Sequence, residues 1–131
     1  MIGRLVLLAP DFDAQTFVGM FPVLSPLIGD VTLYSSSNDA PLWASRQLSG
    51  YPRLGEGGEL LTVIEGVETI DVSSAGRYQF TGHEYFYFHP RVKADLVLLL
   101  SEGVDAERRP GLQVGSRDGI RYWSFTSAGI E

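Results

Sequence analysis

Asp39 and His83 are the two residues whose types and spacing best suit chemistry. A carboxylate after one strand and an imidazole after a later strand can meet above a sheet. There the carboxylate fixes the imidazole tautomer and stabilises the imidazolium, while the imidazole acts as general base for a hydroxyl nucleophile. Spacing alone also allows a plainer assignment, with Asp39 as a helix N-cap and His83 as a loop residue. The remaining candidates have ordinary structural explanations. Asp11 and Asp13 form a D-x-D pair that could hold a metal, but capping suits them better. His83 and His89 are six apart, which fits neither a helix face nor usual zinc spacing, and His89 before Pro90 reads as structural. Ser35, Ser36 and Ser37 read as loop and cap residues. Tyr85, Phe86, Tyr87 and Phe88 suit core packing better than an acyl pocket. Gly55-Glu56-Gly57-Gly58 lacks the following Lys/Ser or helix of a phosphate loop. Arg108-Arg109 reads as a solvated pair in a tail. No metal or other cofactor is implied.

Positioning Asp39 and His83 requires strands before each of them. Leu5-Val6-Leu7-Leu8-Ala9 is a continuous apolar run of the kind found in strands covered on both faces. Asp11 or Asp13 can then cap a helix through Ala14, Phe17, Val18, Phe21 and Leu24, with Pro22 making its end irregular. Val31 to Ser35 is a β-branched and aromatic second strand, and Asp39 with Pro41 signals a helix that Gly50 ends. Residues 60–72 are β-rich, and their second half, Val67 to Val72, is the better third core strand. An aromatic run from Gly82 carries His83, and Pro90 opens a helix through Val92, Leu96, Leu99 and Leu100 that ends at Gly103. A short hairpin is expected around Arg117-Asp118-Gly119. The alternation of strand and helix predicts a three-layer α/β fold, a mostly parallel sheet with flanking helices. In such sheets function sits beyond the carboxyl ends of the strands, where Asp11, Asp39 and His83 all fall. The expected division is an α/β unit over residues 1–103 and a C-terminal tail with the hairpin over 104–131.

Composition removes several functions. Ten basic residues against sixteen acidic ones give a net charge of −6 with no basic stripe, so nucleic acid is a poor partner. There are no cysteines, which excludes disulfides, thiolate metal sites and thiol nucleophiles together. No run approaches the roughly 18 apolar residues of a membrane helix. The apolar start is too short for a signal peptide and is followed by Pro10-Asp11-Phe12-Asp13 rather than a small-residue cleavage site. The absence of cysteine fits any compartment; the lack of a signal peptide or membrane run in these residues slightly favours a cytoplasmic setting without fixing one.

Several short motifs, in order, resemble an esterase/lipase-like branch of the α/β-hydrolase superfamily whose function is largely uncharacterised. They are Ala9-Pro10-Asp11-Phe12-Asp13, the strand Val31 to Ser35 running into Ser36-Ser37-Asn38-Asp39, Ser45-Arg46, Ser49-Gly50, and Pro52-Arg53-Leu54-Gly55. Glu68 to Ser73 is similar to the final strand and Gly82-His83-Glu84-Tyr85-Phe86 to the loop of the catalytic histidine. The resemblance spans about Leu5 to Leu100. It implies the triad acid at Asp39 and the triad base at His83, with Asp11 as a reserve acid, since some α/β-hydrolases carry the acid one strand earlier.

The family's nucleophile elbow, G-x-S-x-G, precedes the matching region and occurs nowhere in the 131 residues. Phe125-Thr126-Ser127-Ala128-Gly129 lacks the first glycine and follows the histidine. The expectation is therefore the C-terminal part of a serine α/β-hydrolase, carrying acid and base but inactive alone. Only in a complete enzyme would an ester-like small molecule be its ligand. The rival is a non-catalytic α/β interaction module. Leu5 to Ala9 opens the sequence with no neighbour before it, so self-association through this strand edge is also expected.

Overall fold

A computed structural model describes residues 2–36, 52–75 and 89–126. Among the described residues five strands form one sheet in the order β1-β2-β3-β5-β4. They are β1 (Ile2–Leu8), β2 (Ile28–Ser35), β3 (Glu68–Asp71), β4 (Leu112–Arg117) and β5 (Ile120–Phe125). All neighbours run parallel except the β4–β5 hairpin. Two described helices flank the sheet, α1 (Ala14–Leu24) and α2 (Pro90–Glu102).

The helix boundaries follow from their caps. Asp13 accepts a bond from the Thr16 amide at 2.9 Å and starts α1. Pro22 is carried inside the last turn, and the helix passes into a 3-10 turn at Ser25–Leu27. Pro90 takes the first position of α2, where its missing N–H costs nothing. His89 caps that helix, its Nδ1 accepting from the Arg91 amide at 3.3 Å. Gly103 closes it at φ 64°, and its amide donates to the Leu99 carbonyl.

The sheet divides the apolar residues into two layers. On one face Tyr34, Ile70, Val72, Trp123 and Phe125 pack with Val92 and Leu99 of α2. On the other Val31, Leu33 and Val67 pack with Phe17 of α1, Leu54 and Ile64. β2 therefore has buried side chains on both faces, as a strand inside a parallel sheet covered by helices requires.

Several expectations change. Leu5 to Leu8 is covered on both faces as expected, Val6 and Leu8 packing toward α2 and Leu5 and Leu7 toward α1, but β1 stands at the border of the described sheet, so these side chains are only half-buried and Ile2 is 53% exposed. β2 begins three residues early, at Ile28, because Gly29 lies against β1. A Cβ there would meet the Gly3 carbonyl oxygen at 2.4 Å, so glycine permits the strands to pair from their first residues. Residues 61–67 form no strand; Leu61, Ile64 and Val67 are buried from irregular backbone. The hairpin forms as expected, with Asp118 and Gly119 both at positive φ. β5 then pairs with β3, which raises three expected core strands to five. The expected helix over residues 39–50 lies outside the described residues.

Candidate active site

The carboxyl ends of β1, β2 and β3 lie level. Leu8 is opposite Tyr34, and Ser35 is opposite Asp71. Asp39 comes three residues after Ser36, and His83 twelve residues after Asp71. Both candidates, with Ser37, Ser127 and the aromatic residues 85–88, lie outside the described residues. What the structure describes is the ground from which they depart.

That ground is tightly built. Ser35 and Ser36 are buried. The Ser36 amide donates to the Gly55 carbonyl at 2.8 Å, and Ser35 Oγ donates to the Leu54 carbonyl at 3.4 Å. On the other side of this segment the Gly55 amide donates to the Pro10 carbonyl at 3.0 Å and the Leu54 amide to the Phe12 carbonyl at 2.7 Å. Asp71, at the end of β3, accepts from the Gly58 amide at 2.9 Å and from the Ser73 amide at 3.0 Å. The glycine loop is thus folded around a protein carboxylate rather than left as an anion cradle.

The lesser candidates have structural partners. Asp11 pairs with Arg53 at 3.3 Å. Asp13 accepts from both the hydroxyl and the amide of Thr16, and these bonds hold its carboxyl below the usual range. The D-x-D pair is therefore occupied by a helix cap and an ion pair. No group of three or more metal-binding side chains occurs among the described residues. No described helix is long and apolar enough to cross a membrane.

Arg109 is a correction. It was expected in a solvated pair with Arg108, yet its side chain is fully buried while Arg108 is exposed. Its Nε donates to Asp95 Oδ1 at 2.8 Å and its Nη1 to the Val104 carbonyl at 2.7 Å. Its Nη2 faces Glu68 at 3.0 Å as an ion pair without hydrogen-bond alignment. Tyr34 completes the group by donating to Asp95 Oδ2 at 2.6 Å. Burial first, and then the Asp95 carboxylate, push the Tyr34 phenol far above its ordinary range, so it remains a donor. Glu68 also accepts from the Ala106 amide at 2.8 Å and the Thr32 hydroxyl at 3.2 Å. The group ties α2, β2, β3 and the chain leading to β4 together directly beneath one sheet face. A signal for it was in the sequence: Asp95 is three residues from Val92 and four from Leu99, on the apolar stripe of its helix.

No curated protein and no solved structure matches this chain. A family described as alpha/beta hydrolase of unknown function (DUF900) matches residues 1–100. Parallel strands joined through helices, ending level where an acid and a histidine follow in order, agree with that match, and the chain belongs to this alpha/beta-hydrolase family.

Proposed function

We propose that this chain supplies the acid and the base of a Ser-His-Asp triad for hydrolysis of an ester or related acyl compound. The observation that carries this reading is the level ending of β2 and β3, adjacent parallel strands that precede Asp39 and His83 respectively. In this reading Asp39 accepts from one ring nitrogen of His83 and holds the tautomer. The other nitrogen takes the serine proton during attack and returns it to the leaving alcohol. The serine itself belongs to a G-x-S-x-G elbow, which these 131 residues do not contain. The chain is then the C-terminal portion of the catalytic unit and is silent by itself.

The test uses short-chain aryl esters and a serine-directed fluorophosphonate. The chain alone is expected to give neither turnover above buffer and imidazole nor label. A protein in which the same residues accompany the elbow is expected to give both. Asp39→Asn or His83→Ala should then lower its turnover by about 10⁴-fold. Stoichiometric labelling of any serine within this chain overturns the reading, as does full turnover in either variant.

A further inference from the structure

The turn formed by Arg53, Leu54, Gly55 and Glu56 lies at the position where β1 and β2 part. We propose that it is the positioning element that seats the acid-bearing end of β2, with Gly55 as its indispensable residue; this rests on the triad reading of Asp39 and His83.

The direct pairing of β1 with β2 ends with the Ala9 amide on the Tyr34 carbonyl at 2.8 Å. Ala9 then turns away at φ 42°, a left-handed conformation unusual for a residue with a Cβ. The chain leaves the sheet through Pro10 toward α1. Past this point β2 has lost its neighbour, yet Ser36 still needs a partner for its buried amide. Gly55 supplies it. Its carbonyl accepts from Ser36 while its amide reaches the Pro10 carbonyl, so one residue bridges the two diverging strand ends.

The fit excludes any side chain at this position. A Cβ on Gly55 would lie 2.3 Å from the Ala9 carbonyl carbon and 2.6 Å from the Pro10 nitrogen. Both are backbone atoms, which cannot swing aside. The turn is closed by the Glu56 amide on the Arg53 carbonyl at 3.1 Å, and the buried Glu56 carboxylate accepts from the Arg53 amide at 3.1 Å. The Arg53 side chain pairs with Asp11, which ties the turn to the chain leaving β1. A side chain at 55 must lift the turn away from Ala9, and the Ser36 bond goes with it. Asp39 follows three residues later, and an orienting carboxylate must come within about 2.6–3.2 Å of its imidazole. Gly55 and Glu56 touch no reacting group in this account; they act through the segment that begins at Ser36.

The imidazole of His83 reports the positioning without any need for turnover. NMR titration of the intact chain follows both histidines, with buried His89 as an internal monitor of folding. If Asp39 orients the imidazole, His83 should titrate higher in the wild type than in Asp39→Asn, because a neighbouring carboxylate favours the imidazolium. Gly55→Ala, still folded by circular dichroism, should move His83 toward the Asp39→Asn value. Glu56→Ala should move it the same way and Glu56→Gln, which keeps an acceptor, should restore it. The Glu56 pair carries the test if Gly55→Ala does not fold. If Asp39→Asn shifts His83 while neither Gly55→Ala nor Glu56→Ala does, the positioning role falls and the triad reading stands. If Asp39→Asn leaves His83 unmoved, both are overturned.

Discussion

Arg109→Ala should be among the most damaging single changes in the described part of this chain. The substitution removes the cation that faces Asp95 at 2.8 Å and Glu68 at 3.0 Å, with its own side chain fully buried and that of Asp95 only 1% exposed. Asp95 would keep the Tyr34 hydroxyl but hold a buried negative charge with no counter-ion. Breaking a buried pair from one side costs about 3–5 kcal/mol. That is a large part of the roughly 5–15 kcal/mol that holds a domain together. With an unfolding entropy of about 2.1 cal/mol/K per residue, the loss corresponds to a melting temperature lower by about 10–20 °C. Urea unfolding followed by far-UV circular dichroism should show the midpoint fall with little change in slope. The companion is Tyr34→Phe with Asp95→Leu and Arg109→Met, which replaces the inner group by apolar side chains. Because desolvation of the charges offsets most of their attraction, this triple variant should recover most of the lost stability. A loss below about 1 kcal/mol for Arg109→Ala would refute the counter-ion argument, and so would a triple variant no more stable than Arg109→Ala.

Two further outcomes are expected. Asp13→Ala should destabilise α1 in a pH-dependent way. The Asp13 carboxyl is held low by its bonds to Thr16, so its contribution is present above the ordinary Asp pKa of about 4 and lost as pH falls through the lowered value; the gap between wild-type and variant melting temperatures should therefore close below about pH 4. At the sheet edge, β1 is expected to pair with β1 of a second copy. Gly3→Lys, which adds a charge where a Cβ meets nothing within 4 Å, should abolish concentration-dependent sedimentation without lowering the melting temperature, and a wild type that stays monomeric at high concentration would contradict this.

Much of the fold was legible where a short-range rule applies. The Asp13 cap, Pro90 at a helix start, Gly103 past its end and the Asp118-Gly119 turn each reflect local backbone chemistry, and each stands where the residues predict. What escaped depends on contacts far apart in sequence. Gly29 reads as the close of the preceding helix unless Gly3 is known to lie beside it. Arg109 looks like a surface cation unless α2 is known to bring Asp95 over Glu68, 27 residues earlier in the chain. Leu61, Ile64 and Val67 contribute apolar surface without belonging to a strand, so a β-rich composition over residues 60–72 marks a core segment of which only Glu68–Asp71 is strand. Around the candidate site, the parallel strands that precede Asp39 and His83 in the sequence were legible, but the bridge at Gly55 was not. It depends on the paths of two chain segments about 45 residues apart, and no local motif encodes that approach.

The described sheet has two dissimilar borders, and the difference would limit how far copies of the chain assemble through the pairing predicted at β1. β1 reads Ile-Gly-Arg-Leu-Val-Leu-Leu, and its single charge is drawn toward Asp30 at 3.6 Å. At the opposite border β4 reads Leu-Gln-Val-Gly-Ser-Arg, and Arg117 folds back onto the carbonyls of Glu59 and Leu61. Lateral growth of a β-structure into a filament needs two competent borders on every copy, one to receive and one to offer. Of the two described borders β1 is the more apolar, and the pairing predicted above would use it. Two chains joined through it would place β4, with its folded-back Arg117, outward at both ends. Such a pairing would be self-complementary, related by a two-fold axis, and would close after a single step.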